Sequence, residues 1–403
     1  MGNFPNLRFL GFEGEWEVKK LEDIAKFYSG GTPLTSKREY FDGDIPFIRS
    51  GEINSDKTEQ FITEIGLKNS SAKLVEAGDI LYALYGATSG EVGISKIDGA
   101  INQAILCIKS TENHYFIFSF LSHKKEVITR TYLQGGQGNL SAEIVKQIEL
   151  SIPSINEQIK ISYFLSLIES RIQTQKKIIS ELLSQMSNLK DLLFEQRLRF
   201  KDSNGNNFSD WKYFKLSDLG KTFNGLSGKT KEHFGAGQKY IQYKQIFDSA
   251  KINIENCAFV DVEENENQNT VQYGDVFFTI SSETPEEIGM SSVLLANVDN
   301  VYLNSFCFGF RTNSFDELIP EFSQFLFRSN KFRNEIVKLA QGSTRYNMSK
   351  TEFLKLNVKL PCKDEQIKIA NFLSSIKEKI ETEKQILEKL ELQKKFLLAN
   401  LFV

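Results

Sequence analysis

Apolar residues recur at alternating intervals of four and three along residues 161–193 and again along 369–401. This spacing is the seam of a left-handed coiled coil, so the pattern predicts two long helices that pair. At 1.5 Å per residue, about forty residues form a helix of roughly 60 Å. The predicted seam and interface residues are Ile161, Leu165, Ile168, Ile172, Ile179, Leu182, Leu189, Ile369, Leu373, Ile376, Ile380, Leu387, Leu390 and Leu397.

Two details refine the helix prediction. Gln175 and Glu383 occupy seam positions, where a polar side chain lowers stability and could fix the register. Residues 154–157 read as a capping box, with Ser154 as the N-cap and Glu157 three positions later. Cys362 replaces that serine at the start of the second helix.

The two helical stretches belong to an internal repeat. Residues 152–194 align with 360–402 without a gap, and the match extends into the preceding sequence. The chain is therefore two copies of one unit, each a divergent globular part followed by a long helix. Matching pairs are Pro153 and Pro361, Glu157-Gln158 and Glu365-Gln366, Trp16 and Trp211, Gly78-Asp79 and Gly274-Asp275, Asn102 and Asn304, and Glu91-Val92-Gly93 and Glu287-Ile288-Gly289.

Both globular parts read as mixed α and β, so the expected fold class is α+β. The predicted helices are 21–28, 115–131, 142–147, 316–338 and 350–354, and the predicted strands are 46–48, 79–84, 92–96, 101–108, 240–243, 276–280, 291–295 and 302–310. The polar stretch 201–207 is typical of a linker. The predicted divisions are 1–151, 152–200, 201–359 and 360–403.

Composition is typical of a soluble globular protein, with 403 residues of which 40% are hydrophobic and 25% charged. No apolar run is long enough to span a membrane, and the first residues lack the pattern of a signal peptide. We therefore expect a cytoplasmic protein without a membrane partner. The net charge of −3 argues against a surface that binds nucleic acid throughout, but it leaves room for a local basic cleft.

The sequence lacks the common signatures of a catalytic or metal centre. Four cysteines lie far apart and only three histidines are present, which indicates neither disulfides nor zinc. The loop of an amino-methyltransferase requires two adjacent prolines, and no two prolines of this sequence are adjacent. Residues 220–222 and 228–230 resemble the end of a phosphate-binding loop but lack its upstream glycine.

Several segments together resemble the specificity subunit of type I restriction-modification enzymes, over almost the entire chain. They are residues 29–33 (Ser-Gly-Gly-Thr-Pro), 78–81 (Gly-Asp-Ile-Leu), Leu140-Ser141, Ile152-Pro153 and Glu157-Gln158. The resemblance implies two target-recognition domains, separated by two antiparallel spacer helices with a pseudo-twofold internal repeat. It further implies a non-catalytic chain that binds double-stranded DNA, two methyltransferase subunits and restriction motor-nuclease subunits. S-adenosylmethionine, ATP and Mg²⁺ are then expected on those partners and no cofactor on this chain.

Candidate DNA contacts are polar residues in the predicted loops. Arginine and glutamine suit the edges of guanine and adenine, whereas lysine mainly contacts phosphate. For each of them, ordinary solvation at the surface is the competing interpretation. The candidates are Thr32, Lys37, Arg38, Arg49, Ser50, Gln134, Gln137, Asn139, Lys229, Lys231, Tyr243, Lys244, Gln245, Ser343, Thr344, Arg345, Tyr346 and Asn347.

Two other functions compete with DNA recognition. One is a coiled-coil assembly scaffold with two protein-binding domains and no direct role on DNA. The other is a self-contained enzyme, against which the missing methyltransferase motif counts. Neither the DNA target nor the length of its spacer can be read from the residues.

Overall fold

The structure is a computed structural model that describes residues 3–132 and 139–403. The chain forms two compact units. Unit 1 comprises Met1–Lys177 and Gln385–Val403, and unit 2 comprises Ile178–Lys384. Each long helix therefore contributes one segment to each unit.

Unit 1 combines short strands with three short helices, the longer helix α3 and the start of the long helix α5 in its described part. Its strands are β1 (Glu17–Lys20), β2 (Ala25–Ser29), β3 (Phe41–Ile48), β4 (Phe61–Ile62), β5 (Lys73–Val75), β6 (Ile80–Ala83), β7 (Val92–Ile94), β8 (Gly99–Ile101), β9 (Ile105–Ser110) and β10 (Glu149–Ile152). Its helices are α1 (Leu21–Ile24), α2 (Glu64–Lys68), α3 (His114–Tyr132), α4 (Ala142–Lys146) and the start of α5 (Ile155–Phe194). The strands form a ribbon, β1-β10, and two sheets, β2-β9-β6-β7 and β4-β3-β8-β5.

Unit 2 repeats this plan. Its strands are β11 (Lys212–Lys215), β12 (Gly220–Asn224), β13 (Phe234–Ile241), β14 (Ala258–Val260), β15 (Val276–Thr279), β16 (Ser281–Ser282), β17 (Ser291–Val293), β18 (Tyr302–Leu303), β19 (Cys307–Thr312), β20 (Tyr346–Asn347) and β21 (Asn357–Leu360). Its helices are α6 (Leu216–Leu219), α7 (Tyr243–Asp248), α8 (Pro320–Leu326), α9 (Asn330–Val337), α10 (Lys350–Leu354) and the start of α11 (Lys363–Leu401). The ribbon β11-β21 and the sheet β12-β19-β15-β17 match those of unit 1, beside the smaller sheets β14-β13-β18 and β16-β20.

Within unit 1, α5 and α11 run antiparallel. Glu169 pairs with Lys394 at 2.6 Å and Lys176 with Glu391 at 2.9 Å, so a later residue of α5 meets an earlier residue of α11. The first four seam residues of α5 share one core with the last part of α11, which includes Leu390, Leu397, Leu401 and Phe402. Leu387 is half-buried against this core.

Unit 2 holds the remaining seam residues. Leu193 and Phe194 of α5 share a core with Ile369 and Leu373 of α11. Ile179 and Ile380 are buried, whereas Leu182, Leu189 and Ile376 are half-buried. Gln175, at a polar seam position in unit 1, is also buried at 8% exposure.

The repeated Glu-Gln pair at the start of each long helix is buried. In unit 1 the Gln158 amide donates to the Pro153 carbonyl at 2.9 Å and accepts from the Asn113 amide at 3.0 Å. In unit 2 Gln366 donates to the Pro361 carbonyl at 3.0 Å. It accepts there from the Ile319 amide at 3.1 Å. Each glutamine therefore ties the start of its long helix to the loop before the neighbouring helix.

The glutamate before each of these glutamines binds an arginine from the segment that precedes the first strand of the unit. Arg8 donates to both oxygens of Glu157 at 2.8 Å, and Arg199 donates to Glu365 at 3.1 and 2.8 Å. Glu365 also accepts from the Trp211 indole at 3.1 Å. The predicted capping box forms only in part, because Ser154 accepts from the Glu157 amide at 3.4 Å while the Glu157 carboxylate is taken by Arg8.

Two helix predictions were wrong. In 21–28 the helix ends at Ile24 and β2 follows, because Phe27 and Tyr28 face different hydrophobic clusters as alternate residues of a strand do. The stretch 316–338 divides into α8 and α9, because Ser329 caps α9 by accepting from the Phe332 amide at 3.3 Å. The strand predicted over 302–310 is likewise divided, into β18 and β19.

One part of the repeat alignment was also wrong. Tyr82 pairs with Val92, whereas the equivalent Phe278 pairs with Ser291, so the loop after β15 is three residues longer than the loop after β6. Glu287 therefore lies within that loop, not beside the strand that follows it. The short Glu-x-Gly match had concealed the insertion.

Candidate functional site

Strand register brings five loops of unit 1 to one end of its sheets. Ser29 pairs with Leu106 and Ala83 with Ile105, so the chain leaves β2 and β6 beside the start of β9. Ile48 pairs in parallel with Ile101, which brings the loops after β3 and β8 to the same end. The Leu140 amide donates to the Leu84 carbonyl at 2.8 Å and adds the segment around Asn139. We call this region the loop end of unit 1.

Unit 2 has an equivalent loop end. Asn224 pairs with Phe308 and Thr279 with Cys307, while Ile241 pairs in parallel with Leu303. The Met348 amide donates to the Ile280 carbonyl at 3.0 Å, so residues 345–347 lie at this end as well. The same five loops therefore converge in both units.

Three of the candidate residues of unit 1 lie at its loop end without a charged partner among residues 3–132 and 139–403. Thr32 is exposed and donates from its hydroxyl to Gln103 at 2.7 Å. Ser50 is half-buried and Asn139 is exposed. Lys37 and Arg38 are exposed but precede β3, at the opposite end of that strand from Ser50. Gln134 and Gln137 lie outside the described residues.

Arg49 also lies at the loop end, but two carboxylates hold its guanidinium. It donates to Glu52 at 2.9 Å and to Glu59 at 2.7 Å, and both hydrogen bonds raise the pKa of Arg49. Burial opposes the charged form of Glu52, yet hydrogen bonds from Arg49, the Glu59 amide and the Thr58 hydroxyl lower its pKa to about 2. Arg49 therefore serves first to close the loop that follows β3.

The loop end of unit 2 contains an open cavity of about 280 Å³. Tyr243 forms part of its wall, donates from its hydroxyl to the Ser281 carbonyl at 2.7 Å and stacks on Phe247 with ring centroids 6.2 Å apart. Burial raises the pKa of the Tyr243 hydroxyl. The full lining is Tyr243, Phe247, Ser281, Ser282, Glu283, Glu287, Phe306 and Arg345.

Other candidates of unit 2 flank this cavity. Ser343, Thr344 and Asn347 are exposed and Tyr346 is half-buried, all in the segment that carries Arg345. Lys244 is exposed on α7 and lies 3.7 Å from Asp248. This segment and the start of α7 form one polar surface around the cavity.

Three candidates of unit 2 are placed less favourably. The Lys229 side chain is 4% exposed and paired with Glu266. Gln245 accepts from the Asn253 amide at 2.6 Å, which holds the loop after α7. Lys231 is exposed but precedes β13, at the other end of that strand from Tyr243.

Sequence reasoning missed several residues at the loop ends. Phe306 is 59% exposed and lines the cavity of unit 2, although a phenylalanine next to a strand reads as core. A signal was present in the repeated asparagines, because Asn304 accepts from the Phe306 amide at 2.9 Å and Asn102 from the Ala104 amide at 3.0 Å. The two matching turns indicate a loop at this position, in which Phe306 is exposed and Ala104 half-buried.

The loop end of unit 2 presents chemistry that suits base edges. An arginine can donate to guanine, a glutamate can accept from the amino group of cytosine, and an aromatic ring can contact the methyl group of thymine. Among residues 3–132 and 139–403, no cluster of three histidines, cysteines or carboxylates could hold a metal ion. No described helix is long and apolar enough to cross a membrane.

Residues that match between the two copies hold the frame. A Cβ on Gly30 would lie 1.7 Å from the Ile101 carbonyl oxygen, and one on Gly225 would lie 2.1 Å from that of Asn304. Buried Asp79 and Asp275 accept from backbone amides of the turn before β6 and β15. The residues that line the loop ends, by contrast, differ between the copies.

Comparison with known proteins identifies this repeated frame. The family described as "Type I restriction modification DNA specificity domain" matches residues 13–184 and again 208–392. The chain belongs to this family. The resemblance to type I specificity subunits is thereby confirmed, with one family domain in each copy of the repeat.

Named members of the family are similar to parts or all of the chain. The MjaIX specificity subunit of Methanocaldococcus jannaschii is 30% identical over 174 residues, which are 40% of each protein. The EcoR124I/EcoR124II specificity subunit of Escherichia coli is 29% identical and is matched over 42% of its length. The chain thus spans about two fifths of these two relatives. The MjaVIII specificity subunit of M. jannaschii is 23% identical over 98% of this chain and 93% of its own.

Solved structures of type I subunits share the fold. The S subunit from M. genitalium has a TM-score of 0.60 at 16% identity and covers 99% of both chains. A chain from a structure of type I complex assembly and conformational transition also has a TM-score of 0.60, at 12% identity. The predicted α+β fold with a repeated domain is confirmed.

Proposed function

We propose that this chain is the non-catalytic specificity subunit of a type I restriction-modification complex. It reads a bipartite, asymmetric DNA site, and each unit contacts one half-site through its loop end. Membership in the family supports this role. Residues 1–151 and 201–359 are then the target-recognition domains, and 152–200 and 360–403 are the spacer helices.

One observation carries the proposal: the two units share a frame but differ at the loop ends that the frame presents. Gly30 and Gly225 each allow a close approach to backbone at the end of the parallel strand, β8 or β18, whereas Ser50 stands where unit 2 has Tyr243. Because base readout depends on which donors, acceptors and apolar groups face the groove, different loop ends recognise different sequences.

Partner chains supply the chemistry in this proposal. Two methyltransferase subunits bind S-adenosylmethionine and methylate adenine, and restriction subunits use ATP and Mg²⁺ to cut DNA. The chain itself binds no cofactor and acts in the cytoplasm. A scaffold without a DNA role is the competing function, and it gives no reason for a cavity that places Arg345 and Glu283 beside exposed Phe306 at the loop end.

The test maps methylated adenines in DNA modified by the complex. Arg345→Ala removes a candidate guanine contact, and a lost arginine contact costs about 1–3 kcal/mol at one base position. We expect relaxed recognition at one position of one half-site. Lys231→Ala removes an exposed charge at the opposite end of β13 and serves as the control, with unchanged recognition expected. Identical methylation maps for wild type and Arg345→Ala would show that the cavity takes no part in DNA recognition.

A further inference from the structure

A second cavity of unit 2 lies against both long helices. Its volume is about 240 Å³, and it lies between the second part of α5, the first part of α11 and helix α8. Its walls are mostly apolar, yet they also carry four cationic side chains. The lining residues are Leu183, Met186, Lys190, Ala250, Gln324, Phe325, Arg328, Lys377, Ile380, Glu381 and Lys384.

Three of these cations lack a carboxylate partner. Arg328 donates to four backbone carbonyls, of Ser291, Ile246, Phe247 and Ser249, at 2.6–3.0 Å. Lys190 donates to the Arg328 carbonyl at 3.1 Å. Lys377 makes no hydrogen bond or ion pair with any described residue.

Nearby acids offset the charge of this group only in part: Asp191 favours the protonated form of Lys190, Glu381 that of Lys377 and Asp248 that of Arg328. Glu381 is the one carboxylate in the cavity wall formed by the described residues, and it lies 3.7 Å from Lys384 at the exposed rim. Asp191, the next residue after Lys190, accepts from the Asn330 side chain at 2.9 and 3.0 Å. Burial lowers the pKa of both Lys190 and Lys377, and neighbouring cations lower that of Lys377 further.

At the equivalent position in unit 1, ion pairs within the chain itself balance the charges. Glu169 occupies the place of Lys377 in the repeat and pairs with Lys394 at 2.6 Å. Glu391 occupies the place of Leu183 and pairs with Lys176 at 2.9 Å. The unpaired cations are therefore a feature of unit 2 and not a general property of the repeated helix pair.

We propose that this cavity binds a carboxylate side chain from an apolar segment of a protein partner, and that in the complex this partner is one methyltransferase subunit. Lys190 and Lys377 are half-buried without an ion pair among the described residues, which is costly for a charge, so a carboxylate that enters gains ion pairs with both. Apolar neighbours on the same segment would cover Leu183, which is 47% exposed at the rim. A DNA duplex is too wide to enter a cavity of this size, whereas a single side chain can.

The first experiment measures the site on the free chain. Calorimetric titration with octanoate, an apolar carboxylate, is compared with 1-octanol, its neutral counterpart. Wild type should bind octanoate at least tenfold more tightly than octanol, and Lys377→Gln should lose this preference. Lys379→Gln, an exposed lysine on the same helix, is the matched control and should behave as wild type.

A separate readout excludes a purely structural role for Lys377. Because its charge is unpaired, Lys377→Met should unfold at a temperature no lower than wild type while losing octanoate binding. A clear fall in the unfolding temperature would show that the lysine supports the fold and would overturn the proposal. Equal octanoate affinity in wild type and Lys377→Gln would overturn it too.

The partner assignment rests on the proposed function and has its own test. Native mass spectrometry counts methyltransferase subunits bound to the full chain as ammonium acetate rises from 50 to 500 mM. Lys377→Gln should lose one of two copies at lower salt than wild type or Lys379→Gln. Unchanged retention of both copies would overturn the assignment. If wild type binds no methyltransferase subunit, the proposed function fails, while the octanoate titration still decides whether the anion site exists.

Discussion

At the scale of single residues, equivalent arginines join the segment before the first strand of each unit to a glutamate at the start of a long helix. Arg199 is 21% exposed, and its partner Glu365 is fully buried and also bound by the Trp211 indole. In unit 1 the indole nitrogen of Trp16 is buried without a partner among the described residues. Glu365 of unit 2 therefore binds two side chains, Arg199 and Trp211, whereas the matching Glu157 of unit 1 is bound by Arg8 but not by Trp16.

Removing Arg199 leaves a buried carboxylate without its cation, which typically costs about 3–5 kcal/mol. We expect Arg199→Met to lower the free energy of unfolding of unit 2 by about 3 kcal/mol. Urea unfolding followed by Trp211 fluorescence, in a Trp16→Phe background, measures this. Arg197→Met breaks the exposed pair with Glu195 and should cost less than about 1 kcal/mol. Equal effects of both substitutions would mean that the buried joint contributes no more than a surface ion pair.

Acid should weaken unit 1 through Glu52. Its pKa is about 2 in the folded chain against an ordinary value of 4.5, so its stabilisation is complete above about pH 4.5 and is lost as pH falls toward 2. Glu52→Gln should flatten the fall in stability over this range. Glu64→Gln changes an exposed glutamate and should leave the wild-type pH profile. Unfolding followed by Trp16 fluorescence, in a Trp211→Phe background, at a series of pH values tests this, and parallel profiles for wild type and Glu52→Gln would contradict it.

The sequence indicated polar residues at the loop ends, but it did not show which of them are held by other side chains, and their contact with DNA stays a prediction. Arg345 and Tyr243 line one cavity, as polar loop residues of a binding surface would. Lys229 and Arg49 are instead held by Glu266 and by Glu52 with Glu59. Glu266 lies in another loop than Lys229, so the sequence alone could not show that pair. Glu52 and Glu59 lie in the same loop as Arg49, but the sequence alone did not show that the loop folds back onto its own arginine.

At the scale of elements, the long helices were the most predictable part of the chain. A seam repeated over about forty residues has no competing interpretation of similar length, and both helices form. Prediction failed where tertiary contacts decided, as at Arg328 and Ser329 between α8 and α9, whose hydrogen bonds interrupt an otherwise helical pattern.

The length of the helix pair should set the spacing between the half-sites. Inserting four residues after Lys177 and four after Gln385 adds roughly 6 Å to each helix, and one base pair spans about 3.4 Å. A four-residue insertion disturbs the seam least, so the helices should still pair. We expect unchanged half-sites and an unspecified spacer longer by one or two base pairs, with some loss of affinity because added base pairs rotate one half-site around the duplex.

Sequencing of methylated sites compares this variant with wild type. A matched control inserts four residues into the polar turn at 202–206, which lengthens neither helix and should leave the spacer unchanged. Full activity with the original spacer in the helix variant would show that the helices do not set the distance.

At the scale of the whole molecule, recognition should be modular, because each unit presents its own loop end on its own frame. Replacing residues 207–359 with the matching part of a relative should change one half of the methylated site and preserve the other. Methylation mapping of the chimaera gives the answer. Replacing residues 360–403 instead changes a spacer helix but no recognition loop, and it should preserve both halves of the methylated site. A chimaera of 207–359 with both halves altered would contradict independent reading.

The assignment of residues 385–403 to unit 1 has a consequence for how the protein is made. Leu397, Leu401 and Phe402 share a core with Phe116 and Phe120, yet a ribosome synthesises them after all of unit 2. At about 5–20 residues per second, the first unit waits roughly 10–40 s for the segment that completes its core. During that interval the core that includes Ile161, Leu165 and Ile168 lacks part of its native cover, so we expect the nascent chain to gain from protection by a chaperone. A premature stop codon late in the gene would therefore damage the domain that was translated first.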